Sequence, residues 1–180
     1  MLSFMGDPMK RQNNIGFTLT ELMAVVIIVA ILAAVSVGYY GKTQEQSYFA
    51  EGLSTVSAIA EAVNRSYLDD QLEGKTPTKQ PKISSLDVGI SGNNRSCRTS
   101  SDYCVRTRYF EINIDTDGVT TATRTSDKSI AKYTIQIQPH FAATNRDQIA
   151  CIGDSAGSDS LKFCQAMGYT TCNDTVCTKN

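Results

Sequence analysis

An unbroken apolar run near the front limits what this chain can become. Leu22 to Val35 reads LMAVVIIVAILAAV, and widening the segment to Phe17–Val37 adds only Thr18, Thr20, Glu21 and Ser36 as polar residues. As a helix, the widened segment is about 30 Å long, the thickness of a bilayer's hydrocarbon core. In lipid it must satisfy its own backbone, so a helix is expected despite its many valines and isoleucines. Lys10 and Arg11 stand just before it, opposed only by Asp7. That basic flank predicts an N-terminus held in the cytoplasm and a remainder that crosses outward. A cleaved secretory signal would need small residues after the run, and Ala33-Ala34-Val35-Ser36 supplies them. The length of the run and the acid near its start oppose that reading. An uncut signal anchor competes more strongly.

The acid, Glu21, needs an explanation. A carboxylate deep in a bilayer helix costs about 2.5–3.5 kcal/mol, and less near the interface. No Lys or Arg lies within four residues of it, so a neutralising cation has to come from elsewhere. A free α-amino group, made by cutting the chain close by, would serve.

Gly16-Phe17-Thr18-Leu19-Thr20-Glu21, preceded by a short basic leader and followed by the apolar run, resembles the start of a type IV prepilin. The likeness covers roughly residues 10–45. It implies that a prepilin peptidase cuts between Gly16 and Phe17, that the new amine of Phe17 is methylated, and that residues 1–16 are a leader. It also implies that Phe17 and Glu21 carry assembly. In a filament of staggered parallel helices, Glu21 of one subunit meets the Phe17 amine of a neighbour. At 4 Å and an effective dielectric near 20, such a pair contributes about 4 kcal/mol before desolvation, and so acts more as a register device than a large stabiliser. Lipid-to-protein transfer adds little drive, so the family's inner-membrane assembly machinery would extract the subunit. Many major pilins carry a proline beyond the middle of the run. Here Gly38 and Gly41 bracket Tyr39-Tyr40 instead, either as a softer weak point or as a place of close helix contact. Met1, Met5 and Met9 are alternative starts, and none changes the mature chain.

After Lys42 the pattern becomes amphipathic. Tyr48, Phe49, Leu53, Val56, Ile59, Ala60, Val63, Tyr67 and Leu68 recur at three- and four-residue steps, with Glu45, Glu51, Glu61 and Arg65 read as lying off that stripe. The helix is expected to run from about Thr18 to Leu72, with Gly74 as its stop. Residues 17–38 would form the transmembrane or filament-core part and 39–73 the amphipathic part. Residues 74–104, with Pro77, Pro81, Gly89 and Gly92, read as a connecting loop with a short turn or strand around Ile83–Ile90. In 105–139 three segments suit strands: Phe110–Ile114, Val119–Arg124 and Tyr133–Ile137. They are separated by turns at Asp115–Gly118 and Ser126–Ser129 and closed by Pro139. The apolar face of this antiparallel meander needs a cover, and the helix stripe supplies one. The fold class is therefore α+β, a long N-terminal helix packed by its second half on a small antiparallel sheet.

Residues 140–180 form a C-terminal region rich in cysteine. Cys97, Cys104, Cys151, Cys164, Cys172 and Cys177 would all lie outside the cytoplasm, where disulfides persist. Short loops suggest Cys97–Cys104, Cys151–Cys164 and Cys172–Cys177. Cysteine spacings without a two-residue pair and a single histidine, His140, argue against a zinc site or a thiol catalyst. Asp115, Asp117, Asp154 and Asp159 lack the pattern of a calcium loop, and GDSAGSDS at Gly153–Ser160 reads as a solvated loop. No metal or cofactor is expected. A net charge of -1 and a pI near 5.8 give no electrostatic case for nucleic acid. No catalytic constellation is present, so the reading is not an enzyme.

The resemblance implies a structural subunit of a type IV pilus or pilus-like filament. Its partners would be like subunits, the peptidase, the assembly machinery and, before assembly, the membrane. It would sit single-pass in the inner membrane with its head outside, and then in an extracellular or periplasmic filament. Such filaments serve adhesion, twitching motility, DNA uptake or secretion. A pseudopilin of a type II secretion system is the alternative within the superfamily. A single-span membrane protein with an external binding head is the alternative outside it.

Overall fold

The computed structural model describes residues 16–90, 97 and 102–179. The basic leader and the alternative starts lie outside the described residues. The chain divides into two compact units after Lys42. Helix α1, Leu19–Leu72, contributes residues to both, and its helical backbone passes Gly38 and Gly41 without interruption.

In the first unit, α1 is apolar all round. The Leu19–Ser36 window has a mean hydropathy of 2.5 and none of it is buried.

In the second unit, α1 covers one face of a seven-stranded antiparallel sheet. The strands are β1 (Cys104–Arg106), β2 (Phe110–Ile114), β3 (Thr120–Arg124), β4 (Tyr133–Ile137), β5 (Ile149–Gly153), β6 (Thr171–Asn173) and β7 (Val176–Thr178). Their order is β1-β2-β3-β4-β5-β7-β6. Residues of β2, β3 and β4 alternate between buried and less buried, as a sheet covered on one face requires. Phe110, Ile112, Ile114, Ala122, Tyr133 and Ile135 point inward, where they join Phe49, Val56, Ile59 and Val63 of α1 in one core.

The meander expected from the sequence is the middle of a larger sheet. The region from 140 onward, expected as a cysteine-containing C-terminal region with no elements assigned, supplies β5, a second helix α2 (Asp159–Ala166) and the β6–β7 hairpin. The GDSAGSDS stretch ends in a helix cap rather than a loop: Ser158 Oγ accepts the Leu161 amide at 3.2 Å. Helix α2 lies on the same face as α1, with Phe163 against Phe49 and Tyr133 at ring separations of 5.8 and 5.1 Å. Residues 74–104 contain a 3₁₀ turn at Ile83–Ser85 and the first residue of β1.

Helix and sheet approach closely at Gly52. A Cβ there would fall 2.5 Å from Phe110 Cζ, a buried ring with nowhere to retreat. Gly52→Ala is expected to lower head stability by about 1–3 kcal/mol, as overpacking does, although alanine is the better helix former. Thermal unfolding followed by circular dichroism checks this. A stabilised variant would mean that the ring moves freely.

Candidate functional site

The start of α1 is built around Thr18 and Glu21. Helix N-termini leave amide donors unpaired, and here a reciprocal cap satisfies them. The Thr18 amide and hydroxyl donate to Glu21 Oε2 at 2.9 and 2.8 Å, and the Glu21 amide donates to Thr18 Oγ1 at 3.2 Å. The carboxylate thus has hydrogen-bond partners inside its own chain, which the sequence reading did not foresee. Its charge still meets no cation among the described residues near it. Gly16 and Phe17 precede the helix in non-helical backbone, with Phe17 86% exposed. A Cβ added at Gly16 would meet nothing within 4 Å among the described residues, so no contact with them demands glycine there.

The second constellation lies in the head and was missed. Glu45, read as off the stripe, is buried, and so is Arg124 at the end of β3. Arg124 Nε donates to Glu45 Oε1 at 2.7 Å and Nη2 to Oε2 at 3.4 Å, while Nη1 donates to the Tyr109 carbonyl at 3.1 Å. The Tyr133 hydroxyl donates to Glu45 Oε1 at 3.1 Å. The guanidinium also lies over the rings of Tyr48 and Tyr109, at 4.6 and 5.3 Å. Glu45 sits four residues before Phe49, at the spacing of the stripe itself. Arg124 shares the inward parity of Thr120 and Ala122. An acid on an apolar stripe and a base on the inward side of a strand were the available signal.

Burial, more than the adjacent Glu45 carboxylate, pushes the Tyr133 phenol far above the usual tyrosine range. Burial raises Tyr169 as well. The folded head keeps these protons at a pH where the unfolded chain has lost them. Their contribution to stability is therefore fully present below about pH 10 and is lost as pH rises beyond it. Tyr133→Phe is expected to flatten part of this decline in unfolding curves taken between about pH 8 and 11. An unchanged slope would assign the decline to other groups.

All six cysteines are bridged: Cys97–Cys104, Cys151–Cys164 and Cys172–Cys177. Cys97, Cys104 and Glu111 cluster closely enough to suggest a metal site, but both sulfurs are spent in a disulfide and neither is a thiolate ligand. Two of the four candidate calcium acids serve local structure. Asp115 Oδ1 accepts the Asp117 and Val119 amides at 2.9 Å each, and Asp159 accepts from Ser129 Oγ at 3.0 Å. His140 is exposed and its Nδ1 sits 2.8 Å from Asp147 Oδ2.

An apolar helix long enough to cross a membrane, with a capped acid at its start, and a disulfide-tied α+β head fit a membrane-anchored subunit. Residues 11–37 match the prokaryotic N-terminal methylation motif. The chain is 30% identical over 162 residues to the type IV major alpha-pilin of Moraxella bovis, spanning 87% of this chain and 95% of that protein. It is 36% identical over 85 residues to a fimbrial protein of Pseudomonas aeruginosa, covering 46% of this chain and 51% of the relative. No solved structure gives a significant match. The chain belongs to the type IV pilin family. It is a structural subunit of a pilus, and the pseudopilin alternative is not favoured over this.

Proposed function

We propose that a prepilin peptidase cuts this chain between Gly16 and Phe17, that the amine of Phe17 is methylated, and that this amine neutralises Glu21 of an adjoining subunit in the filament. The observation that carries the reading is the placement of Glu21. It is an acid held by Thr18 at the entrance to an apolar helix, with no cation near it among the described residues. The exposed, non-helical Gly16–Phe17 bond supports cleavage, because a protease needs an extended segment. With no contact among the described residues requiring Gly16, recognition at the cut accounts for the glycine.

In this reading residues 17–38 form the filament core after serving as the membrane anchor. Residues 39–73 bind the sheet, and residues 74–180 form the outward head. The role is mechanical rather than catalytic. The head lies outside the cytoplasm before assembly and on the filament surface afterwards, where adhesion and twitching motility are the tasks it would serve.

Intact-mass and N-terminal peptide mass spectrometry of the protein from its native host tests the reading. A chain beginning at N-methyl-Phe17 is expected. A chain that keeps residues 1–16 and still forms filaments would overturn it.

A further inference from the structure

Four cysteines of the head hold two bridges that stand side by side. Cys151 in β5 is directly opposed by Cys177 in β7, and Cys177 is opposed in turn by Cys172 in β6. Opposed residues of an antiparallel pair project from the same face with Cα atoms about 4.5–5.5 Å apart, a separation that a disulfide spans. Cys177, bridged to Cys172, is thus placed beside Cys151, bridged to Cys164. On the remaining side, hydrogen bonds link the end of α2 at Cys164 to Cys172. Gln165, next along α2 from Cys164, donates its side-chain amide to Cys172 Sγ at 3.5 Å. Tyr169 links the same two places, since its amide donates to the Cys164 carbonyl at 3.2 Å and its own carbonyl lies 3.7 Å from Cys172 Sγ. Access is unequal: Cys172 is exposed, whereas Cys151, Cys164 and Cys177 are buried.

We propose that these four cysteines form a thiol–disulfide exchange site, entered at Cys172 by an external thiol and opening onto a second pairing, Cys151–Cys177 with Cys164–Cys172. The external thiolate attacks Cys172 Sγ, the bond to Cys177 breaks, and Cys177 leaves as a thiolate. Cys177 attacks Cys151 Sγ and expels Cys164 as a thiolate. Cys164 then attacks Cys172 Sγ in the mixed disulfide and releases the external thiolate. Each step forms one sulfur–sulfur bond and breaks one, the thiol is regenerated, and the protein is neither oxidised nor reduced overall. The partner this implies is a thiol of the compartment outside the cytoplasm. Exchange would loosen α2 from β5, the two elements that Cys151–Cys164 now ties together.

The test uses the full-length protein in detergent, incubated with reduced glutathione and quenched with N-ethylmaleimide. It is then digested without reduction, with cuts after Tyr169 and before Asp174 to separate the cysteines, and read by mass spectrometry. Peptides linked through Cys151–Cys177 are expected to accumulate while Cys97–Cys104 stays intact. In a second arm, Cys172→Ser leaves Cys177 without its partner. With no thiol added, the maleimide is expected on Cys164 as well as Cys177. The proposal stands only if both arms behave so. Label confined to Cys172 and Cys177, absence of any new bridge, or new bridges reaching Cys97 or Cys104 would each overturn it. The last of these would mean that exchange proceeds through general unfolding.

Discussion

Replacing Glu21 by glutamine is expected to cut filament assembly about tenfold or more while leaving the precursor processed and its helix start intact. The variant separates two jobs that the carboxylate holds at once. Glu21 closes the helix N-terminus with Thr18, and glutamine fills that position of a capping box nearly as well. What glutamine lacks is charge. A charge pair at 4 Å is worth about 4 kcal/mol at an effective dielectric near 20, before desolvation is subtracted. If a third of that survives, each docking step weakens about tenfold. Sheared filament yield, normalised to processed subunit in the membrane, is therefore expected to fall about tenfold or more for Glu21→Gln, and as far for Glu21→Ala. A glutamine variant that assembles like the parent while the alanine variant fails would reduce Glu21 to a helix cap.

Arg124→Met is expected to cost the head about 3–5 kcal/mol, because it strands the Glu45 carboxylate where its side chain is only 4% exposed. That loss corresponds to about 10 °C or more in the melting midpoint. Replacing both partners, Glu45→Met with Arg124→Met, removes the stranded charge and is expected to recover most of the stability, leaving the Tyr133 hydroxyl as the main unpaired group. Calorimetric unfolding of the two single variants and the double variant measures the coupling. Additive losses would show that the pair acts as two independent contacts. The pair is expected to matter for where the helix meets the sheet more than for net stability, since it fixes the turn of α1 just beyond Lys42 to the end of β3.

What was legible in the sequence was whatever carried a strong period or an unusual charge. The apolar run and the stripe after it placed α1 within a residue of its observed ends. The alternation in Phe110–Ile114 and Tyr133–Ile137 marked β2 and β4. The unread part of the fold had no such period. Strand β5 reads IACIG, with buried residues on both sides of its pleat and no polar alternate to betray it. Strands β6 and β7 are three residues each and rich in threonine, so their pairing depends on the neighbouring β5 more than on any local preference. Helix α2 is only eight residues long and is held by packing on β5, β4 and the Cys151 bridge. At the helix start the charge of Glu21 was conspicuous, but its cap with Thr18 was not noticed, although the Thr-x-x-Glu spacing was in plain view. Glu45 and Arg124 were misread for another reason. Glu45 was set off the stripe by its charge and Arg124 was given no side of its strand, when the spacing of the stripe and the parity of the strand placed both inside.

The central claim is that the acid at the start of the helix is neutralised by the amine of a neighbouring subunit. Electron cryo-microscopy of the isolated filament, at a resolution that shows side chains, tests it most directly. The Glu21 carboxylate is expected within about 4 Å of the Phe17 nitrogen of an adjoining subunit. A filament in which every Glu21 faces only Thr18 and apolar side chains, with no positive group in reach, would contradict it.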